Sequence, residues 1–455
     1  MKIALDAMGG DLAPKATVEG AVLAARDFGV EVVLVGNREL LARELAEHAT
    51  AGLAISIEHA PEHVGMDESP MESALGKPQS SIHIGLELVK RGNARAFVSA
   101  GNSGAVMAAA IMVLGTLPGV DRPAIASLVP ASDGLALLID AGANTEVKSL
   151  NLVQFAVMGS IYAHRVRSIG NPRVGVLANG EEDSKGTDLT RAAAATLRAM
   201  GDSVNYIGYV EGRDINRAKA DVVVTDGFTG NVALKTMEGF AAFLLGNLRD
   251  VFSVGLGRIA YLLIRKRLGA IRERLDPAEY GGAPLLGLNG VAIIAHGSSS
   301  PRAIRNAIRA AANEALVERV NAEIVETLAR VSGGAPAKPA GKGFRAIMAR
   351  MRERLHRHPR ELREGQGQSV PSAAGTGGAH LPPQTPASSP PPAVPDFTAA
   401  HSEPAAASRP SEAMLSNAVP SLNGVRPADE AGRGHRDEIG HAEPGADQAR
   451  KPDPS

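Results

Sequence analysis

Residues 220–238 read ADVVVTDGFTGNVALKTME, and the change of pattern inside this stretch decides the fold class. Val222, Val223 and Val224 are β-branched and predict a short buried strand. A polar turn that begins at Thr225 ends the strand, and from Thr229 onward apolar residues recur at helical spacing. Such a turn directs backbone N–H groups and the positive end of the helix dipole to one place, which favours an anion such as phosphate.

The same turn carries polar groups that predict contact with an anion. Asp226, Thr229 and Asn231 lie on its rim, and Gly230 lets the backbone approach a ligand closely. Lys235 lies a full turn into the helix, so Asn231 is the stronger candidate. The alternative is that the glycines only allow the chain to turn, because many strand–helix corners in α/β proteins bind nothing.

Five further segments repeat this order of apolar run, polar glycine turn and helix-compatible stretch. Their turns are DAMGGD at 6–11, SAGNSG at 99–104, DAGAN at 140–144, NGEEDSKG at 179–186 and HGSSS at 296–300. Strands that alternate with helices predict an α/β fold of three layers with a doubly wound, mostly parallel sheet. Because ligands of such sheets bind outside the carboxyl ends of the strands, we expect all six turns to gather at one edge and form a shared polar site.

A change of composition at about Gly333 divides the 455-residue chain. Residues 1–332 carry the repeated pattern and predict one α/β domain. Residues 333–455 are rich in Pro, Ala, Ser and Gly, and we expect them to be mostly disordered because they cannot bury enough apolar surface. Within this tail, residues 338–363 hold nine Lys or Arg against two acids, and a basic helix is predicted at 344–358.

Composition also limits the chemistry. The chain contains no cysteine, which excludes disulfides, cysteine metal sites and a thiolate nucleophile. A reaction on a thioester would therefore need direct attack by the incoming group, or an oxygen or nitrogen nucleophile. We predict no metal and no cofactor, since there is no H-E-x-x-H motif and no helical pair of aspartates.

The expected location is cytoplasmic. The sequence enters its first strand directly, and none of its apolar runs approaches the roughly 20 residues that span a bilayer. Nucleic acid is not among the predicted partners.

Lys185 is the main candidate for binding an anion. Glu181, Glu182 and Asp183 precede it, and we expect this acidic group to hold and orient the ammonium. The alternative is a solvated surface lysine. Asn102, Ser103 and Asn231 are further polar anchors, although each also suits the N-cap of the helix that follows.

His296 has two interpretations as well. It follows an apolar run and precedes a helix opened by Pro301, so it could act as a general acid or base near neutral pH. A histidine that only bonds the backbone at a helix start fits the pattern equally.

Residues 243–275 predict a pair of cationic amphipathic helices with a bend near Gly255 and Gly257. This stretch is dense in Leu, Ile, Val and Phe, yet it holds seven Arg or Lys against two acids. Contact with an anionic membrane surface or an acidic protein would use Arg258, Arg265, Lys266 and Arg267. Packing in the core or in a dimer interface is the alternative.

Six blocks, taken together and in order, resemble one known family. They are ALDAMGGD, FVSAGNSGA, LLIDAGANTE, LANGEEDSKGT, DVVVTDGFTGNVALK and GLNGVAIIAHGSS, which fall within residues 1–332. The combination is similar to the bacterial phosphate acyltransferase family PlsX. The resemblance implies a fold like that of isocitrate and isopropylmalate dehydrogenases and of phosphotransacetylases, as a homodimer at the membrane periphery.

The resemblance also implies an activity. The family transfers a fatty acyl group from acyl carrier protein to inorganic phosphate, and a membrane-bound glycerol-3-phosphate acyltransferase uses the acyl phosphate for phospholipid synthesis. We expect Lys185, Asn231 and Asn102 to be catalytic. The expected substrate-binding residues are Asp6, Gly9, Gly10, Ser103, Gly104, Asp140, Asn144, Glu182, Asp226, Gly230 and His296.

Two other functions remain open from the sequence. A phosphotransacetylase-like enzyme would take acyl-CoA in place of the acyl carrier protein. A catalytically inactive scaffold would recruit partners to the membrane.

Overall fold

The computed structural model describes residues 1–253, 255, 257–316 and 319–331. The chain divides into two units, Met1–Val370 and Pro371–Ser455, and every described residue belongs to the first. The predicted disorder of residues 333–455 and the predicted basic helix at 344–358 lie outside the described residues. The division at residue 332 stays a prediction.

Strands and helices alternate along most of the described chain. The strands are β1 (Lys2–Asp6), β2 (Glu31–Gly36), β3 (Ile55–His59), β4 (Ala96–Ser99), β5 (Ala124–Ala131), β6 (Gly134–Ile139), β7 (Val174–Leu177), β8 (Tyr206–Val210), β9 (Val222–Val224), β10 (Ala283–Leu286) and β11 (Val291–Ile294). The helices are α1 (Lys15–Phe28), α2 (Arg38–Ala46), α3 (Pro70–Gly76), α4 (Ser81–Lys90), α5 (Ser103–Val113), α6 (Ser149–Arg165), α7 (Asp188–Ala199), α8 (Gly212–Ile215), α9 (Gly227–Ser253), α10 (Gly257–Leu275), α11 (Pro301–Leu316) and α12 (Val320–Val331).

All the described strands join one sheet in the order β3-β2-β1-β4-β11-β10-β5-β6-β9-β7-β8. The sheet is mostly parallel, as predicted, but β10 and β5 pair antiparallel with their neighbours. As a result β1, β2, β3, β4 and β11 run in one direction, and β6, β7, β8 and β9 run in the opposite direction.

This reversal corrects the expectation that all six glycine turns share one edge. The turns after β1, β4 and β11 lie at one edge, and those after β6, β7 and β9 lie at the opposite edge. The prediction of a single gathered edge was wrong because the antiparallel strands β10 and β5 reverse the direction of everything beyond them. The functional groups of this chain therefore form two clusters.

Helices cover both faces of the sheet, because successive side chains of a strand point to opposite faces. In β1, Ile3 and Leu5 pack with buried residues of α1 and α11, whereas Ala4 packs with α4 and α5. In β9, Val222 and Val224 pack with α6 and α7, whereas Val223 packs beside the first turns of α9. The three-layer arrangement expected from the sequence is confirmed.

The helix after β9 continues well beyond the corner that the sequence emphasises. α9 is 27 residues long and begins at Gly227, so the polar corner and the first cationic helix are one continuous element. Its early residues Ala233, Leu234 and Met237 pack on the sheet. Residues 243–275, which we call the helical arm, form the rest of α9 and the whole of α10.

The arm is exposed in this chain. None of the described side chains of α10 is buried, and only Gly227 and Gly230 are buried in α9. Leu263 is 83% exposed, and Phe243, Val251, Ile259 and Leu262 are also exposed. The helix pair is confirmed, and packing of the arm in the core of this chain is wrong. Within the described residues, no helix is long and apolar enough to cross a membrane.

Candidate active site

Asp6 organises the first cluster from a buried position. Its side chain is 1% exposed, and its carboxylate accepts hydrogen bonds from Ser99 Oγ at 2.7 Å and from Met8 N at 3.2 Å. Burial raises the pKa of Asp6, while hydrogen bonds from Ser81 and Ser99 act against that shift. A side chain at Gly9 would have its Cβ 2.4 Å from Asp6 Oδ2, so only glycine fits there. Asp6 and Gly9 therefore hold turns together, and the Asp6 carboxylate is not open to a substrate.

Three of the predicted turns meet around Asp6. Ser99 Oγ donates to Asp6 and joins the end of β4 to the end of β1, and the same Oγ accepts from Gly101 N at 3.0 Å within the turn after β4. Asp11 N donates to Gly297 O at 2.8 Å, which brings in the turn after β11. Gly10 has a φ of +105°, and a Cβ there would lie 3.0 Å from Gly297 O. These close backbone approaches explain the glycines at positions 9, 10 and 101.

Asn102 caps α5 and is itself held from outside. Its Oδ1 accepts a hydrogen bond from Ala105 N at 3.1 Å, and its Nδ2 donates to Met66 O at 3.1 Å and Glu68 O at 3.0 Å. Among the described residues, the N–H groups of Ser103 and Gly104 have no acceptor. A neutral cap with two free N–H groups at a helix N-terminus is suited to an anion or a carbonyl oxygen.

The segment that holds Asn102 was missed by sequence reasoning. Burial by itself would raise the pKa of Glu68, but hydrogen bonds from Lys77, Gly65 N and Ser73 outweigh it and lower the pKa to about 2. These bonds fix the loop whose carbonyl groups accept from Asn102. The Ser69–Pro70 pair, with proline in the first turn of α3, was the signal that marked a helix start beside this loop.

His296 is exposed at the first cluster. Its Nδ1 accepts a hydrogen bond from Ser298 N at 3.2 Å and lies 2.8 Å from Ser298 Oγ. Acceptance at Nδ1 puts the proton of the neutral ring on Nε2, which can donate to a ligand. The ring bonds the backbone, as one interpretation predicts, and keeps one nitrogen free; a role as general acid or base stays a prediction.

Asp140 organises the second cluster in the same way. Its side chain is fully buried, and its carboxylate accepts from Ile125 N, Gly142 N, Ala143 N, Asn144 N and Asn144 Nδ2. Burial raises the pKa of Asp140, and these hydrogen bonds act against it. Asn144 is also buried and donates to Pro123 O at 2.8 Å. Asp140 and Asn144 therefore shape the turn and leave substrate contact to exposed neighbours.

The corner at the start of α9 packs closely against this turn. A Cβ at Gly230 would lie 1.9 Å from Asp140 O, and Gly227 N donates to Asn144 O at 2.7 Å. The Asp226 carboxylate caps the helix, because it accepts from Thr229 N and Thr229 Oγ1, both at 2.8 Å. The N–H groups of Gly227 and Thr229 are therefore already bonded. The corner does not offer phosphate the open cradle that its sequence pattern predicts.

Asn231 and Lys185 are two exposed polar groups of the predicted site at this edge. Asn231 is exposed beside Gly142, whose Cβ position would lie 3.5 Å from the Asn231 amide. Lys185 is exposed on the turn after β7, the strand next to β9. Neither side chain has a hydrogen-bond or ion-pair partner among the described residues. Lys235, in contrast, pairs with Glu238 at 2.7 Å.

The acids beside Lys185 do not hold its ammonium, which corrects that expectation. Glu181 pairs with Lys219 at 2.8 Å, and Asp183 pairs with Arg198. Glu182 contributes a turn, since its carbonyl oxygen accepts from Lys185 N at 2.9 Å. Other cations pair with Glu181 and Asp183, and the Lys185 ammonium has no ion-pair partner among the described residues.

In the part of the chain that the structure describes, one group of carboxylates has the spacing of a metal site. Oxygens of Glu181, Glu211 and Asp214 lie within 4.8 Å of one another. The ammonium of Lys219 is 2.8 Å from Glu181 and 3.7 Å from Asp214. Glu211 pairs with Arg213 at 2.6 Å, so the group is an ion-pair network that holds two cations.

Comparisons with known proteins identify the family of this chain. The model of the family described as "Fatty acid synthesis protein" matches residues 1–322. A phosphate acyltransferase from Citrifermentans bemidjiense is 52% identical over 349 residues, which is 75% of this chain and 98% of the relative. The chain belongs to the phosphate acyltransferase family PlsX. The resemblance drawn from the six sequence blocks is confirmed, and the enzyme class of the family is acyltransferase.

Other matches agree in extent. A phosphate acyltransferase from Geobacter sulfurreducens is 50% identical over 331 residues, covering 71% of this chain and 95% of the relative. Among solved structures, a phosphotransacetylase from Streptococcus pyogenes is 18% identical with a TM-score of 0.47, covering 70% of this chain and 94% of that one. The family match includes Lys185, Asn231 and Asn102.

Proposed function

We propose that this chain transfers a fatty acyl group from acyl carrier protein to inorganic phosphate, reversibly, and supplies acyl phosphate for phospholipid synthesis. Membership of the family supports acyl transfer to phosphate. The observation that carries the mechanism is the pair of exposed, unpartnered groups Lys185 and Asn231 on the turns of neighbouring strands. A cation and an amide free of internal partners are available for a phosphate and a developing oxyanion.

In the proposed reaction, a phosphate oxygen attacks the thioester carbonyl carbon directly. A tetrahedral oxyanion forms, the C–S bond breaks, and the thiolate of the carrier leaves and takes up a proton. An acyl-cysteine intermediate is excluded because the chain has no cysteine. Lys185 offsets the charge of phosphate, and Asn231 donates to phosphate or to the oxyanion.

The first cluster has a separate part in this proposal. The N–H groups of Ser103 and Gly104, which have no acceptor among the described residues, and His296 in the same cluster are suited to hold a second anionic group of a substrate, away from the reacting carbonyl. Asn102 is a positioning residue here, because its amide is fully used by Ala105, Met66 and Glu68.

The test is an assay of phosphate-dependent thiol release from palmitoyl-acyl carrier protein and from palmitoyl-CoA. We expect release from the carrier protein, and a loss of about 100-fold or more in kcat/KM in Lys185→Met. Lys235→Met removes a lysine that already pairs with Glu238 and serves as the control, with activity close to wild type. Faster release from CoA would favour the phosphotransacetylase-like alternative, and the absence of turnover would favour the scaffold.

The helical arm supports a proposal about location. Exposed apolar side chains lie on the same two helices as Arg265, Lys266 and Arg267, which have no ion-pair partner among the described residues. Arg258 instead bonds Ser253 O at 2.7 Å and joins the two helices. We propose that the arm contacts an anionic membrane surface, so that a cytoplasmic homodimer delivers acyl phosphate to a membrane-bound glycerol-3-phosphate acyltransferase.

Charge reversal tests the arm. In Arg265→Glu with Lys266→Glu, binding to vesicles of anionic lipid should fall while binding to neutral vesicles stays the same. Unchanged binding to anionic vesicles would leave the arm as a protein interface.

A further inference from the structure

The turn that carries Lys185 is pinned to the fold at several points. Asn179 Oδ1 accepts from Gly186 N at 2.9 Å, and Arg191 donates to Gly186 O. Asp183 pairs with Arg198 of α7. These contacts join the turn to itself and to the helix that follows it.

Lys219 supplies a contact of a different kind. In the sheet order β9-β7-β8, the connection from β8 to β9 passes over β7, and Lys219 lies in that connection. Its ammonium reaches Glu181 of the Lys185 turn at 2.8 Å and Asp214 of α8 at 3.7 Å. Lys219 therefore ties the turn after β7 to the connection between β8 and β9, which also contains Asp214.

The backbone around Lys219 is itself fixed. Ala218 has a φ of +57°, a left-handed conformation that alanine rarely adopts unless its surroundings impose it. Asn216, two residues earlier, donates to Pro130 O and accepts from Ser132 N at 2.8 Å. The connection is thus attached to β5 and its turn, and Lys219 projects from a segment with little freedom.

Electrostatics makes Lys219 hard to replace. Without it, Glu181 and Asp214 would lose their shared cation while their oxygens lie within 4.8 Å of each other and of Glu211, which keeps Arg213 at 2.6 Å, and Asp214 is only 6% exposed. Like charges at that separation repel, and burial strengthens the repulsion. Glu181 is the exposed member of the group, so the Lys185 turn is the part that would move away.

We propose that Lys219 is a positioning residue for acyl transfer to phosphate: it holds the turn of Lys185 in the place where the ammonium meets phosphate. This inference rests on the proposed function. Displacement of the charged group by about 1 Å is enough to cost a large factor in rate. Loss of this contact should lower kcat/KM for phosphate and leave KM for the acyl donor nearly unchanged, because Lys185 is the phosphate ligand in the proposed mechanism.

The experiment compares Lys219→Met and Lys219→Arg in the full chain. In Lys219→Met, kcat/KM for phosphate should fall by about tenfold or more, while KM for palmitoyl-acyl carrier protein changes by less than about threefold. Lys219→Arg keeps a cation in the carboxylate group and should recover most of the loss. A Lys219→Met enzyme with kcat/KM for phosphate within about twofold of wild type would overturn the proposal, as would an arginine variant no better than methionine.

The experiment includes a matched control and a second variant. Lys2→Met removes an ion pair of the same length and similar exposure, 2.7 Å to Glu31, between β1 and β2 far along the sheet order from the Lys185 turn. It should leave kinetics unchanged. If Lys219→Met does not fold, Glu181→Gln removes the turn's side of the pair and leaves Lys219 beside Asp214, and the same loss for phosphate is expected.

Hydrogen exchange separates this proposal from the proposed function. Amide exchange in a peptide spanning residues 178–187 should become faster in Lys219→Met and stay at the wild-type rate in Lys2→Met. Unchanged exchange would show that Lys219 does not hold the turn, even in an active enzyme. If exchange becomes faster in Lys219→Met but the wild type makes no acyl phosphate, Lys219 holds the turn and the proposed function is wrong.

Discussion

Two corners of this molecule share a sequence pattern and differ in what they leave free. At the start of α5, the neutral amide of Asn102 caps the helix, and the N–H groups of Ser103 and Gly104 have no acceptor among the described residues. At the start of α9, the carboxylate of Asp226 caps the helix and Asn144 O takes another N–H group.

The difference teaches that a strand–turn–helix pattern does not by itself make an anion site. At α9 the protein supplies its own anion, so the corner contributes the side chain of Asn231 rather than its backbone. At α5 the backbone stays available, and the side chain of Asn102 is used for positioning. The identity of the capping residue decides whether the backbone N–H groups or a side chain of the corner can contact a ligand.

The two corners also differ in how closely other atoms approach their glycines, and substitution of each glycine by alanine tests this difference. In Gly230→Ala the new Cβ would meet Asp140 O, so we expect a loss of about 3 kcal/mol or more in the free energy of unfolding. Gly104→Ala should cost less, because its Cβ meets the side chain of Pro70 at 2.8 Å rather than backbone. Gly239→Ala, in open space on α9, should be neutral or stabilising in the same denaturation experiment.

Removal of the neutral cap tests the function of the α5 corner. Asn102→Ala loses the cap and two bonds to the Met66–Glu68 loop, so we expect about 2 kcal/mol of destabilisation and at least about a tenfold loss of kcat/KM. Asn37→Ala removes a similar cap from α2 and should cost about 1 kcal/mol with activity retained. Equal activity in the two variants would show that the α5 corner is structural only.

Removal of the charged cap should make the two corners alike. Asp226→Ala frees Thr229 N, and we expect about 1 kcal/mol of destabilisation in chloride. Phosphate at equal ionic strength should recover part of this loss by binding the freed N–H groups, beyond its effect on wild type. Thermal unfolding measures the effect. If phosphate stabilises the variant and the wild type equally, the Asp226 carboxylate does not occupy an anion position.

The sequence predicted much of the fold because local patterns carry it. The run Val222–Val224 is a strand, α11 begins at Pro301, and the bend between α9 and α10 lies at the predicted glycines. Helical and strand periodicities are properties of a few consecutive residues, so they can be read without knowledge of the rest of the chain.

The sequence did not predict the partners of charged groups. Glu181 and Asp183 stand beside Lys185 in the chain, yet they pair with Lys219 and Arg198. The Met66–Glu68 loop lies more than 30 positions from Asn102, which it orients. Such contacts depend on how crossovers and turns pack, and no local pattern records them.

By itself, the sequence determined the family, the alternation of strands and helices and the absence of a cysteine nucleophile, since these follow from residue types and their order. Only the tertiary structure decided that the opening corner is already capped by Asp226. It also decided that β10 and β5 divide the glycine turns between two edges and that Lys185 has no ion-pair partner in the part of the chain that the structure describes. The physical reason is that charge compensation and strand direction are set by residues brought together from distant parts of the chain.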